Sequence, residues 1–210
     1  MPQTNLLLYV DSQFASPYAM SVFVSLREKG LPFEMTALDL GTKAHENPAY
    51  AVTSMTRRVP TLVHDGFALS ESSAITEYID EVFPGTPLYP TAPQQRARAR
   101  QVQAWLRSDL MPLRQERPTE VIFYGQKMAP LSADAHAAAN KLFSFASMLL
   151  PDGAQSLFEQ WSIADTDLAL MIHRLMLHAD PVPQKLAAYA RQQWQQPSVQ
   201  EWVQQARPPL

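Results

Sequence analysis

The sequence predicts an α/β + all-α chain, with an α/β unit over residues 1–83, a proline-rich linker over 84–93 and an all-helical part over 94–210. Three observations carry this. Short apolar runs alternate with amphipathic ones in the order β-α-β-(α)-β-β-α as far as Val82. Four prolines and one glycine then crowd into the eleven residues Phe83–Pro93, which marks a connection. Beyond it glycines are few and apolar residues recur at helical spacing.

The first apolar run, Leu6-Leu7-Leu8-Tyr9-Val10, reads as a buried strand. Ser16-Pro17 places an N-cap before a proline at the first helical position. Met20, Val22, Phe23, Val24 and Leu26 continue that helix to Glu28-Lys29, and Gly30 stops it. From Pro32, alternation of Phe33, Met35 and Ala37 with polar neighbours gives an extended piece to Leu38. An irregular segment with Gly41 and Pro48 follows. Thr61–His64 and Phe67–Leu69, joined by Asp65-Gly66, form a β-hairpin, and a helix from about Glu71 to Val82 closes the unit. In the second part Gln94–Leu110 is a helix with Val102, Trp105, Leu106 and Leu110 on one side, and residues 132–150 form another. Ser162-Ile163-Ala164-Asp165 is a capping-box variant that opens a helix with Leu168, Met171, Ile172 and Leu175 at core spacing.

Bulk composition removes several classes of function. Hydrophobic residues make up 46% of the 210 and charged residues 18%, enough for a core and unlike a disordered chain. Seventeen basic against twenty acidic residues leave a net charge of −3, which argues against nucleic acid as the main partner. No run of about 18 apolar residues is present, so no membrane span is expected. Met1-Pro2-Gln3-Thr4 leads into the first strand without the basic flank of a secretory signal, so a cytoplasmic location is expected. The chain has no cysteine, which excludes disulfides, thiolate metal sites and a protein-borne cysteine nucleophile. His45, His64, His136, His173 and His178 show no metal-ligand spacing.

Two motifs carry chemistry. Arg57-Arg58-Val59-Pro60-Thr61-Leu62-Val63 puts a proline at the head of an apolar strand, where main-chain groups cannot all pair within the sheet. Ser70-Glu71-Ser72-Ser73-Ala74-Ile75 opens a helix whose N–H groups and positive dipole end suit a carboxylate. Together, at this spacing, they resemble the glutathione site of the glutathione S-transferases, and the element order resembles a thioredoxin-like domain. The helix opening at Ser162 also resembles the capping motif of that family's C-terminal domain, so the resemblance covers nearly the whole chain. It implies glutathione as co-substrate and no metal. It implies a cis Val59-Pro60 bond, with the Val59 backbone pairing with the cysteinyl part of glutathione. Arg58, or its neighbour Arg57, would meet the glycyl carboxylate. Ser72 would take the γ-glutamyl carboxylate and Glu71 its ammonium, with Ser73 and Ser70 as substitutes.

Ser16-Pro17-Tyr18 falls at the strand-to-helix junction where serine-type members carry the hydroxyl that donates to the glutathione sulfur. Tyr9 is the alternative, because tyrosine-type members place theirs near the end of the first strand; Ser12 and Tyr18 are close. A thiol with a pKa near 8.5 is only about 3% thiolate at pH 7, and a hydroxyl donor beside a helix N-terminus favours the anion. Ser16 also reads as a plain N-cap.

The resemblance implies conjugation of glutathione to a small electrophile. The same thiolate acting on an organic hydroperoxide would give a glutathione peroxidase, and a non-catalytic binding protein of the same fold is a third reading. The electrophile site is expected between the domains, with Trp105, Met111, Phe123 and Tyr124 as candidates. Arg96, Arg100, Arg107 and Arg114 fall within about 40° on one continuous helix, either a basic wall or a solvated face, with Pro112 against continuity. Lys43, His45 and Asn47 in the 41–56 segment have no assigned role. The resemblance also implies a homodimer.

Overall fold

The structure is a computed structural model that describes residues 5–210. The Met1–Thr4 segment, read above as lacking a secretory signal, lies outside them. The chain divides into two compact units, one running to Leu88 and including Glu201–Leu210, the other Tyr89–Gln200.

The first unit is built on strands β1 (Leu6–Asp11), β2 (Glu34–Leu38), β3 (Thr61–His64) and β4 (Phe67–Ser70), with helices α1 (Pro17–Glu28), α2 (Pro48–Thr53) and α3 (Ser72–Val82). The sheet order is β2-β1-β3-β4; β1 runs parallel to β2 and antiparallel to β3. Leu6, Leu8 and Val10 alternate into the core of this unit, where α1 and α3 pack together, while Tyr9 on the other face meets the Tyr50 ring of α2 edge-on at 5.3 Å. Ser16 caps α1 and Gly30, at φ +66°, lets the chain leave it. Asp65 and Gly66 both take positive φ (49° and 88°), the backbone that a two-residue hairpin turn with the sheet's own twist requires.

One feature fills in the bracketed helix of the predicted order and two go beyond the sequence reading. The segment after Gly41 is partly helical, with a 3₁₀ turn at Ala44–Glu46 and then α2, capped where the Asn47 side chain accepts from the Ala49 N–H. The proline-rich linker is anchored within the units on either side. Leu88 is fully buried and its N–H donates to Asp80, whose carboxylate also pairs with buried Lys29 at 3.0 Å, while Tyr89 Oη donates to Gln103 in the second unit. Finally, Trp202 is fully buried against Phe23 (5.2 Å) and Phe14 (5.7 Å), and Arg207 donates to the Phe14 carbonyl.

The second unit holds α4 (Pro93–Ser108), α5 (Met111–Glu116), α6 (Thr119–Phe123), α7 (Ala133–Leu149), α8 (Ile163–Met176) and α9 (Gln184–Trp194); α10 (Pro197–Val203) crosses the division. α8 is buried along nearly its whole length and packs against α4, α6 and α9. At its start the Asp165 carboxylate accepts from the Ser162 N–H (2.8 Å) and hydroxyl (2.9 Å), the Leu157 N–H (2.7 Å) and Tyr189 Oη (2.8 Å). Burial pushes this carboxyl up and those donors pull it back. Fully buried Arg117 forms a forked pair with Asp180, and Arg174 donates to the Arg117 carbonyl.

The predicted helix to Leu110 ends two residues earlier, at Ser108, because Asp109 turns extended (φ −115°, ψ −173°) and Leu110 left-handed (φ +61°) ahead of Met111-Pro112. Arg114 therefore lies on a different helix from Arg96 and Arg100, so the single basic stripe is broken. Arg107, rather than lining a wall, pairs with Asp167 at 3.0 Å, where Gln103 also donates. Among the described residues no helix is long and apolar enough to cross a membrane.

Candidate active site

Strand register gathers the two motifs. Tyr9 stands opposite Thr61, and Thr61 opposite Ser70. The residues just beyond these positions, Val10-Asp11 leaving β1, Val59-Pro60 entering β3 and Glu71-Ser72 leaving β4, therefore emerge at the same end of the sheet. The loop to Ser16 starts there, and so does the segment after Leu38, which pairs with Asp11.

The loop before α1 is fixed by one carboxylate that the sequence reading did not single out. Asp11, nearly fully buried, accepts from the Ala15 N–H at 2.7 Å and the Ser16 N–H at 3.1 Å, and the Ser12 N–H donates to the Leu38 carbonyl. Ser16 is half-buried, and its oxygen accepts from the Ala19 N–H at 3.2 Å as the N-cap of α1. A serine hydroxyl that accepts this way keeps its own proton for a further acceptor. The plain N-cap and the thiol donor are thus compatible roles of one side chain. Tyr9, the alternative, sits within β1 with its ring against Tyr50.

The Val59-Pro60 bond is cis, as the resemblance implies. Pro60 is buried, Val59 half-buried, and Arg57 and Arg58 are exposed. Behind them lies a cluster invisible to motif reading. Tyr50 Oη, Thr61 Oγ1 and Ser54 Oγ approach the Arg58 carbonyl at 2.7, 3.0 and 3.3 Å, and Ser70 Oγ adjoins Ser54 Oγ at 3.1 Å. Only the position of Thr61, next to Pro60, could have hinted at it.

Glu71 takes φ 72° and ψ 113°, a strained conformation for a residue with a Cβ. It leaves the Glu71 side chain exposed and starts α3 with Ser72 buried. Glu71 stands at the N-cap without a side-chain bond to the helix, and the first turn itself carries no acidic residue, so the dipole favours a carboxylate at the Ser72 N–H groups.

The four candidates for an electrophile site lie in the second unit, with half-buried Phe123 the last residue of α6. The Trp105 indole packs on Phe145 at 4.1 Å and donates to Asp109. Met111 is 48% exposed at the start of α5, and half-buried Tyr124 follows α6. Lys43 and Asn47 flank the 3₁₀ turn that contains His45. Among the described residues no group of three or more His, Asp or Glu is placed to hold a metal.

Comparison with known proteins supports the two-part fold. Residues 93–207 match the family described as "Glutathione S-transferase, C-terminal domain", and residues 13–87 the corresponding N-terminal domain. Glutathione transferase GST 23 of Zea mays is 42% identical over 96 residues, spanning 43% of this chain and 40% of that protein. Glutathione S-transferase U6 of Arabidopsis thaliana is 37% identical over 87 residues, spanning 41% of this chain and 38% of its own length. The chain thus spans about two fifths of these curated relatives. A solved glutathione transferase homolog from Burkholderia, with bound glutathione, is 46% identical, covers 95% of this chain and 96% of its own, and superposes with a TM-score of 0.79.

Proposed function

Because this chain belongs to the glutathione S-transferase family, we propose that it binds glutathione at this sheet end, lowers the pKa of the thiol with Ser16, and conjugates the thiolate to a small electrophile. The observation that carries the reading is the Ser16 hydroxyl, which accepts within its own helix and so has a proton left to donate. The γ-glutamyl carboxylate seats at the start of α3 beside Ser72, its ammonium meets Glu71, the cysteinyl backbone pairs at Val59, and Arg58 takes the glycyl carboxylate. Lowering the thiol pKa by about 2 units requires roughly 2.7 kcal/mol of preference for the anion. That raises the thiolate fraction at pH 7 from about 3% to about three-quarters, a gain of at most about 25-fold, offset in part by lower intrinsic nucleophilicity. The remaining acceleration comes from holding the electrophile beside the sulfur. The partners are glutathione, an electrophile and a second copy of the chain, for which the exposed Val52, Met55 and Phe67 offer apolar surface.

An ultraviolet titration of bound glutathione against pH tests this. The thiolate of the bound ligand should form about 2 pH units below that of free glutathione, and Ser16→Ala should abolish most of the shift while Tyr9→Phe leaves it. An unshifted thiol in the wild-type complex would sink the activation mechanism.

A further inference from the structure

We infer that the hydroxyls of Tyr50, Ser54, Thr61 and Ser70 form a positioning device for glutathione, locking the Arg58-Val59 peptide so that the Val59 N–H faces the ligand. This rests on the glutathione reading above.

Arg58 supplies the carbonyl at the centre of this cluster. Its side chain is exposed, yet its oxygen lies against Tyr50 Oη at 2.7 Å, Thr61 Oγ1 at 3.0 Å and Ser54 Oγ at 3.3 Å. Ser54 and Thr61 are fully buried and Tyr50 is 6% exposed, so this carbonyl points inward. The Arg58-Val59 bond is not among the cis bonds, and in a planar trans peptide the C=O and the following N–H point in opposite directions. Holding the carbonyl inward therefore aims the Val59 N–H outward. Val59 also lies before the ladder of β3, which starts at Thr61, and Pro60 has no N–H of its own. The left-handed turn at Arg57, φ 54°, brings the chain into this orientation.

The hydroxyls are arranged to hold one state. Thr61, Ser54 and Ser70 form a triangle with oxygen separations of 2.9, 3.1 and 3.3 Å, and Tyr50 Oη lies 3.0 Å from Thr61 Oγ1. A carbonyl oxygen has two lone pairs and each hydroxyl one proton. Tyr50, the shortest contact, fills one lone pair, and the triangle supplies a second donor while satisfying its remaining members. Turning the peptide over would leave buried hydroxyls without an acceptor, which the protein interior penalises. Burial also pushes the Tyr50 phenol up, so it remains a donor across the working range. The Tyr9 ring, edge-on to Tyr50, holds the phenol in place.

The role is positioning, because none of the four hydroxyls is required to touch glutathione. Calorimetric titration of glutathione into wild type, Tyr50→Phe, Thr61→Val and Thr61→Ser tests it, with thiolate titration and steady-state kinetics on the same proteins. Tyr50→Phe and Thr61→Val should each weaken glutathione binding about tenfold and raise its KM in parallel. The pKa of the bound thiol and kcat at saturating glutathione should stay near wild type, because Ser16 is untouched. Thr61→Ser, which keeps the hydroxyl, should restore affinity to within about twofold of wild type. Unchanged affinity in folded Tyr50→Phe and Thr61→Val would overturn the proposal. So would a Thr61→Ser as weak as Thr61→Val, or a loss that appears equally in the thiol pKa. If Tyr50→Phe fails to fold, the Thr61 pair decides alone. A wild type that binds no glutathione would fail at the first titration and remove the parent reading itself.

Discussion

His173→Phe takes one imidazole out of the last turn of α8, and its effect on stability can be worked from the surroundings of the ring. The side chain is 3% exposed, lies nearly parallel to the Trp194 indole at 4.2 Å, and its Nδ1 is 2.8 Å from the Ala169 carbonyl. A carbonyl only accepts, so Nδ1 carries the proton of a neutral ring. Burial, with a smaller contribution from Arg191, holds the folded-state pKa down at about 4. An unfolded histidine titrates near 6.5. As pH falls through 6.5 the unfolded chain takes up a proton that the folded one refuses, so stability is full above that value and declines until the folded ring itself titrates. The decline attributable to this group is about 2 kcal/mol at pH 5 and about 3 kcal/mol once both states are charged. Phenylalanine keeps the stack and removes the titration, at a fixed loss of about 1 kcal/mol for the hydrogen bond. Urea unfolding of both proteins at pH 7.5, 6 and 5 is the assay, and the gap between wild type and variant should close and then invert as pH falls. Asp109, lowered to about 2, and Asp180, also lowered, add losses at more acidic pH but do so equally in both proteins. Parallel pH curves for the two would refute the assignment of a buried neutral imidazole.

Other expectations follow from particular contacts. Arg57→Gly relieves a left-handed residue and should raise stability by about 0.5–1 kcal/mol with little change in glutathione affinity, whereas Arg58→Ala should weaken binding; thermal melts and ligand titration on the pair show which arginine serves the ligand. Asp165→Ala strands the Ser162, Leu157 and Tyr189 donors in the interior and should cost about 3–5 kcal/mol by chemical denaturation. Ser16→Ala should lose about 1 kcal/mol of stability with its cap and most of its activity near neutral pH. That activity should recover toward pH 9, where the thiol ionises unaided.

Much of this architecture was legible because local chemistry and global fold agree. Ser16-Pro17, Gly30 and Asp65-Gly66 are punctuation whose backbone demands few other residues meet, and each stands where the structure needs it. Leu6, Leu8 and Val10 show period-two burial because one face of their strand is covered by helices. What escaped notice has no local signature. Asp11 as an anchor for two N–H groups, and the meeting of Tyr50, Ser54, Thr61 and Ser70, depend on strand register that no single segment encodes. Leu88 and Tyr89 were hidden by the prolines around them, which advertise a loose connection while these two side chains are buried. The arginine spacing suggested one face until the chain broke at Asp109-Leu110, where a left-handed leucine is a turn its residue type does not announce.

The packing of Trp202 and Arg207 onto the Phe14 loop has a consequence for biosynthesis. Arg207 and the Phe14 carbonyl it grips are 193 residues apart. At about 5–20 residues per second, the ribosome needs about 10–40 s to make the second partner after the first. Throughout that interval α1 lacks its indole neighbour, and the loop leading to Ser16 lacks its guanidinium clasp. Those two side chains therefore join the first unit long after its strands are made, and a nascent chain stalled before Trp202 leaves Phe23 with Phe33 and Arg27 but without its indole neighbour.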